Sequence, residues 1–486
     1  MKKLLVVTLL LVLAAGSLLW SCKRPPKINL AITHVTLIDA TGSPAQSDMS
    51  VVIANQKITA IGPTRSTGIP DDARIVDATG KFLIPGLTDA HIHLTGAGEP
   101  GGSREFILPL LVASGITTVR DMGSYLESIS PLRKDIQDGK RLGPRIFTPG
   151  PYLDGSPPSF QPSFVVTNAV QASEDVHALV ERKVDFIKVQ SRLARDAYFG
   201  IADACRREHI PFVGHVPDAV TASEASDAGQ KSIEHLTGVL RACSSNERRL
   251  MGLQFVVPAM QETPVQSRDR QFALQNQLLT TYSEEKASQL IAQFVKNQTW
   301  QTPTLILLKN DAYPTPQSDP SRDERNKYVP HQLLETWKKG IADRDKRATP
   351  QEYELRSKLL QKSLQLVGKM QAAGVRIMAG TDSSAPYIFP GSSLHEELFL
   401  LVQAGLTPLE ALQAASKNPA EFLGILKFQG TIERNKFADL VLLDGNPLDD
   451  IKNSRKIAAV ILHGKFLDRA SLDALESSAE KYAATQ

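Results

Sequence analysis

The chain has 486 residues, 42% of them apolar and 22% charged, with 55 basic against 52 acidic side chains and a formal charge of +3. This balance excludes a mostly disordered chain, a collagen-like repeat and a polytopic membrane protein, and it argues against a dedicated nucleic-acid binder. Three cysteines, none in a CxxC pair, make no disulfide scaffold, and the length suits one large barrel-type domain with a smaller companion.

The first element is an address. Lys2-Lys3 lead into the apolar run 4–20, which ends at Ser21-Cys22-Lys23-Arg24-Pro25-Pro26. A basic start, an apolar stretch and a small residue before the break mark residues 1–21 as a secretory signal peptide. Leu19-Trp20-Ser21-Cys22 also resembles a bacterial lipobox. That implies lipidation of Cys22 and an exported protein, periplasmic or at the cell surface, held to a bacterial membrane. Plain secretion is the first alternative; an uncleaved anchor is the second, and the run is short for a span.

Residues 27–85 alternate short apolar runs, such as Val51-Val52-Ile53 and Ile58-Thr59-Ala60-Ile61, with turn residues at Gly42-Ser43-Pro44, Gly62-Pro63 and Asp71-Asp72. The same texture returns at 426–470, in Ala438-Asp439-Leu440-Val441-Leu442-Leu443 and Ala458-Ala459-Val460-Ile461-Leu462. Two β-rich ends around a long middle predict a small discontinuous β-sandwich domain, with 471–486 as a C-terminal tail. In the middle, 86–425, candidate strands lie at 87–93, 116–120, 145–148, 185–189, 211–215, 232–235, 301–305 and 375–382. Helical stretches separate them. Eight strands alternating with helices predict an α/β fold, a (β/α)8 TIM barrel. Long inserts follow strands six and seven, and the second contains a proline-rich loop at 313–320; both are placed over the barrel mouth. Ser393-Leu394-His395-Glu396, Thr407-Pro408-Leu409-Glu410 and Asn418-Pro419-Ala420-Glu421 read as helix starts, and His395 reads as a solvent-side or cap-region residue, with substrate contact as the alternative.

The chemistry gathers at the predicted strand ends. In Asp89-Ala90-His91-Ile92-His93, side chains two apart share a face, so His91 and His93 both point into the barrel, where imidazoles suit zinc and its neighbours. Lys188 stands inside the apolar run Phe186-Ile187-Lys188-Val189, where an unpaired ammonium is costly. His215 ends strand five, His235 strand six and Asp382 strand eight. Barrel strand ends converge on one face, so four histidines, a lysine and an aspartate predict one metal site. Arg120, Tyr125, Arg192 and Tyr198 lie just beyond strand ends; they are candidate substrate contacts, weighed against packing roles.

With these residues, the sequence after Lys27 resembles the amidohydrolase superfamily. Gly80-Lys81-Phe82-Leu83-Ile84-Pro85-Gly86-Leu87, Gly430-Thr431-Ile432-Glu433 and Ala438-Asp439-Leu440-Val441 strengthen the likeness. Within it the chain is similar to the imidazolonepropionase-related and Xaa-Pro or Xaa-Arg dipeptidase-like branch. The resemblance implies two divalent metal ions, zinc with manganese or iron as alternatives. His91, His93 and Asp382 would hold one ion, and His215 and His235 the other. Lys188, carboxylated on Nζ, would bridge them together with a hydroxide. Asp382 would be the catalytic acid–base. The implied activity is hydrolysis of a C–N amide bond in a small molecule, a dipeptide or N-acyl amino acid, by an enzyme expected to be a homo-oligomer. Where dipeptidase relatives often carry a Gly-Gly-His turn, this chain has the segment 149–158, which begins Pro149-Gly150-Pro151-Tyr152. The alternatives are a mononuclear cyclic-amide hydrolase or deaminase, which has no use for a bridging lysine, and a non-catalytic binding protein.

Overall fold

Apolar runs that are buried on both faces build the centre of the structure, a computed structural model that describes residues 29–95, 104–254, 263–312, 322–346, 348–383 and 385–486. The signal segment 1–21, Cys22 and the 313–320 loop lie outside the described residues.

The two chain ends meet in one sheet. Strands β1 (Asn29–Leu37), β2 (Gln46–Ala54), β3 (Lys57–Pro63), β4 (Arg74–Asp77) and β5 (Phe82–Pro85) come from the first end, and β15 (Leu440–Leu443), β16 (Ile457–Leu462) and β17 (Lys465–Asp468) from the second. They form a single eight-stranded hydrogen-bonded sheet in the order β17-β16-β15-β5-β1-β2-β3, with β4 parallel to β1. Strands from both chain ends are thus linked in one sheet through the pairing of β15 with β5. Val441 of β15 pairs with Ile84 of β5 across more than 350 residues of sequence, and Leu30, Ile32, Val51, Ile53, Leu83, Leu440 and Ile461 fill a core between them.

Only Gly86 separates β5 from β6 (Leu87–Ile92), so the chain passes straight from this sheet into the catalytic-scale domain. β6, β7 (Ile116–Asp121) and β8 (Arg145–Phe147) are parallel neighbours. After them, β9 (Tyr152–Asp154), β10 (Ser163–Val165), β11 (Ile187–Val189), β12 (Phe212–Gly214), β13 (Ser232–Glu234) and β14 (Trp300–Thr302) form a parallel sheet in the order β10-β9-β11-β12-β13-β14. The predicted eighth strand is not a regular ladder. It touches both sheets through isolated parallel bridges, Gln301 to Ile377 and Ile92 to Ser383. At the other margin the Asp185 amide donates to the Thr148 carbonyl at 2.9 Å. With helices on the outside, the arrangement is TIM-barrel-like α/β.

Ala90, Met122, Phe186, Val213, Trp300, Met378 and Phe422 pack together in an apolar plug separate from the main core. The helix Pro350–Ala372 starts as its sequence dictates, with Thr349 and Glu352 in a capping box and Pro350 in the first turn; Thr407 and Glu410 do the same for Pro408–Ala414. Two other predicted starts differ. Ser393 lies inside the helix Ser392–Gln403 and its hydroxyl accepts from the Phe389 amide, while the Asn418 side chain donates to the Ile377 carbonyl. The expected tail is a helix, Arg469–Thr485, capped by Asp468 and packed on Arg104–Ala113. His395 is buried, not solvent-side: its Nε2 donates to the Ser114 carbonyl at 3.1 Å, and Ser454 meets Nδ1 at 2.9 Å. Cys205 and Cys243 are both buried and free. Among the described residues, no helix is long and apolar enough to cross a membrane.

Candidate metal centre

Strand parity brings the predicted ligands together. Ile92 packs outward into the main core, so His91 and His93 face inward on either side of it. Ile187 and Val189 are likewise core residues, which turns Lys188 into the interior. Val213 sits in the apolar plug, and His215, two residues on, shares its face.

Consecutive Glu234 and His235 cannot both face inward along a regular strand. The backbone solves this by leaving the β region: φ is 57° at His235 and 53° at Leu236, in the left-handed region that non-glycine residues seldom adopt. Asp382 does the same, with φ 63°. Such conformations cost of order 1–3 kcal/mol each and cluster where function over-determines geometry. Two glycines allow the close approach. A Cβ on Gly214 would lie 2.2 Å from the Val189 carbonyl and 3.0 Å from Lys188 Cδ, and one on Gly380 would lie 2.7 Å from His91 Cβ.

The result is a cluster with a common orientation. Nδ1 of His91 donates to Glu234 Oε2 at 2.9 Å, and Nδ1 of His93 lies 3.1 Å from the Tyr152 hydroxyl. Nδ1 of His215 lies 2.8 Å from Ser191 Oγ, and Nδ1 of His235 lies 2.7 Å from Thr304 Oγ1. All four imidazoles therefore have Nδ1 engaged, the arrangement that leaves Nε2 for a metal. His91 Nε2 and His93 Nε2 lie 3.3 and 3.1 Å from the same oxygen of Asp382, and these three residues have ligand atoms close enough to share one ion. The His91 and His235 rings are 4.4 Å apart, and His215 and His235 5.0 Å.

Electrostatics divide the cluster: burial would lower His93, but Asp382 beside it raises its imidazole above the usual range. Burial, with Lys188 next, holds His215 well below the usual imidazole range, and burial with His91 lowers His235 to about 3. Burial alone would raise Asp382, but the neighbouring histidines hold its carboxyl well below the usual range. Lys188 is 1% exposed, its Nζ has no hydrogen-bond partner among the described residues, and burial lowers it to about 8. A buried amine with nothing to bond is a poor structural element but a good acceptor of a carboxyl group. The donor set of four imidazoles and a carboxylate fits divalent metals.

Other residues stand elsewhere than expected. Arg120 does not reach the mouth. It lies fully buried below the histidines, where Nη2 donates to both Glu234 oxygens at 2.8 and 2.7 Å and to Thr302, Nη1 donates to Ser232, and Nε donates to the Ala90 carbonyl. It sits over the rings of Phe186 and Phe422. Tyr198 is also buried and donates to Gln230 at 2.8 Å; it lies on the inner face of Arg195–Arg207 with Ile201 and Cys205. Tyr125 is half-exposed at the start of Leu126–Gln137, and the Arg192 guanidinium donates to the Pro157 carbonyl. None of these four lines the cleft.

Sequence reasoning passed over Glu234 and Tyr152. Glu234 carried a usable signal, a carboxylate inside an apolar strand; burial would raise it, but Arg120 and His91 hold it well below the usual range. Tyr152 lies in the segment that replaces the Gly-Gly-His turn. The cleft over the cluster has a volume of about 590 Å3, with Tyr152, Phe160, Leu307, Leu333 and Trp337 among its walls.

Comparison with known proteins matches residues 82–467 to the profile described as Amidohydrolase family. The bottromycin amidohydrolase structure superposes with a TM-score of 0.73 at 23% identity, covering 95% of this chain and 91% of that one. A putative prolidase from Bifidobacterium longum superposes at 0.64 and 24%, covering 94% and 100%. Among curated proteins, an adenine deaminase of Paracoccus denitrificans is 31% identical over 72 residues, 15% of this chain and 11% of the deaminase. The curated relatives are thus matched over a minor part of their length, and the structural likenesses speak for the fold.

Proposed function

Because the chain belongs to the amidohydrolase family, we propose that it is a metal-dependent hydrolase of C–N amide bonds in small molecules, of the dipeptide or N-acyl amino acid class. The observation that carries this reading is that His91, His93, His215, His235, Asp382 and Lys188, whose Nζ has no hydrogen-bond partner among the described residues, all line one cleft. His91, His93 and Asp382 would hold one divalent ion, and His215 and His235 a second. Lys188 would bridge them after its neutral amine attacks carbon dioxide, forming an N–C bond and losing a proton. Bound ions supply the Lewis acidity that activates water and polarises the carbonyl.

The protein's own part is orientation and proton movement. Asp382, kept ionised by the histidines beside it, takes a proton from the attacking water on its carboxylate oxygen and returns it to the leaving nitrogen. Tyr152 holds His93 and presents its hydroxyl to the cleft, and Phe160, Leu333 and Trp337 cover apolar parts of the substrate. The scaffold is a closed (β/α)8 barrel, and the protein is exported and anchored through a lipid on Cys22; Cys22→Ser should move it from membrane to soluble fraction.

Metal analysis of the purified enzyme should give about two transition-metal ions per chain, and Asp382→Asn should lower amide hydrolysis by about 10²–10⁴-fold without changing the circular dichroism spectrum. Metal-free protein with full activity, or an active Asp382→Asn, defeats the proposal. A second reading, one ion and a cyclic amide or amine substrate, is favoured by the tight convergence of His91, His93 and Asp382 alone. One ion per chain and ammonia release from a ring substrate would select it.

A further inference from the structure

The charges of the main cleft all belong to the candidate metal centre. Apart from Asp382, Lys188 and the four histidines, every described residue that lines it is neutral. Three cations near the lining residues in sequence are engaged elsewhere. Arg192 Nη1 donates to the Pro157 carbonyl at 2.8 Å, Lys309 donates to Glu396 at 3.1 Å, and Lys338 donates to Glu335 at 2.8 Å. The segments 96–103, 255–262 and 313–321, outside the described residues, each carry one acidic residue and no lysine or arginine. Away from the metal centre, a substrate carboxylate in this cleft gives up water without meeting a cation among the described residues.

Gln190 asks for the opposite chemistry. It lies two residues beyond Lys188 and lines the same cleft. It is 3% exposed, its backbone amide donates to the Leu153 carbonyl at 3.0 Å, and its side-chain Oε1 has no hydrogen-bond partner among the described residues. A buried acceptor without a donor is costly, and an N–H supplies what it lacks. A carboxylate offers acceptors only, whereas a carboxamide brings an N–H without a charge.

The remaining wall is apolar and partly aromatic. Leu333 and Trp337 stand one turn apart on the helix His331–Asp345, and the Trp337 ring is braced by Tyr387 at 5.4 Å and Phe389 at 6.0 Å. Phe160 is 54% exposed, with its ring 6.4 Å from that of Tyr152. Its backbone is held from both sides: the Ser159 amide donates to Asp154, and the Ser163 hydroxyl donates to the Phe160 carbonyl, each at 2.6 Å. A phenylalanine fixed at the cleft with half its surface uncovered leaves apolar area for an incoming ring.

We propose that the cleft selects uncharged aromatic amides over substrates that end in a free carboxylate. Phe160 is the specificity residue for the ring, and Gln190 accepts an N–H from the neutral end group. The assignment rests on the amide-hydrolase reading and narrows it to blocked compounds.

The test compares benzoylleucinamide, benzoylleucine and acetylleucinamide at neutral pH on the enzyme as isolated, following release of benzoate or acetate. By kcat/KM, benzoylleucinamide should exceed each of the others at least tenfold. Phe160→Ala should shrink the benzoyl-to-acetyl ratio at least fivefold and leave the carboxamide-to-carboxylate ratio within twofold. Gln190→Leu should do the converse, shrinking the second ratio at least threefold and leaving the first within twofold. A general loss of structure lowers all three rates and moves neither ratio selectively. The assignment is overturned if benzoylleucine is as good a substrate as its amide, or if either variant leaves its own ratio unmoved. Hydrolysis of none of the three defeats the amide-hydrolase reading instead. The compounds then stay intact, and their dissociation constants by calorimetry put the same ratios to the same test.

Discussion

Arg120→Met removes the cation that holds Glu234 and leaves the rest of the barrel floor in place. Glu234 is fully buried, and among the described residues its two oxygens bond to Arg120, Ser232 and His91. Arg120 in turn ties the Ala90 carbonyl on β6, Ser232 and Glu234 on β13 and Thr302 on β14. Methionine fills similar volume between Phe186 and Phe422, so the packing loss is small; the main cost is an uncompensated buried charge, about 3–5 kcal/mol. Adding Glu234→Gln removes that charge. The double variant should therefore recover part of the loss, with a coupling of about 2 kcal/mol or more, within the range seen for residues in one network. Urea unfolding followed by tryptophan emission reads this well, because Trp300 lies 5.5 Å from Phe422 at the same floor. The reasoning is refuted if Arg120→Met shifts stability by less than about 1 kcal/mol, or if the two single losses simply add.

Burial pushes Glu397 up to about 8 even though the Leu305 and Ile306 amides donate to it. Its folded-state pKa is raised, so between the ordinary glutamate value and about 8 the folded protein holds a proton that the unfolded chain has lost. Stability from this residue should fall by up to about 1.4 kcal/mol per pH unit as pH rises through that window, and Glu397→Gln should flatten the slope in denaturation midpoints measured from pH 5 to 8. Gly214→Ala places a methyl against the Val189 carbonyl at φ 131°. It should cost about 1–3 kcal/mol from backbone strain alone and reduce bound metal, read by thermal unfolding and metal content; an unchanged metal count would show that Lys188 and His215 do not depend on this close approach.

Legibility followed from how much each residue's pattern constrains its facing. His91 and His93 were readable because a two-residue spacing on any strand gives a common face, and Lys188 because a lysine among Ile187, Val189 and Phe186 has no bland explanation. Arg120 was misplaced for the converse reason: every residue of β7 is buried, so no alternation says which side chains look up the barrel and which look across it. Tyr198 carried a signal that position in the chain obscured. Ala197, Ile201 and Cys205 share its face at helical spacing, and that pattern belongs to a packed interior. The predicted eighth strand dissolved into two bridges because its end must turn left-handed to deliver Asp382, and a strand-period reading has no way to register that demand.

The hydrogen bonds of the site separate positioning from chemistry. Each histidine has its Nδ1 held by a residue of its own, namely Glu234, Tyr152, Ser191 and Thr304. Those partners are anchored in turn: Glu234 by Arg120, Thr304 by donating to the Pro303 carbonyl, and Ser191 by its carbonyl's bond to the Asp218 amide. Orientation of the imidazoles is thus a property of the folded chain, established by bonds at Nδ1. Lys188 is the exception. It is as deeply buried as His91, yet among the described residues its Nζ has no partner to orient it. Under the proposed function, conversion to an anionic carbamate would remove the buried cation and supply two oxygens to the same centre, so one modification would resolve both the electrostatic cost and the missing bonds.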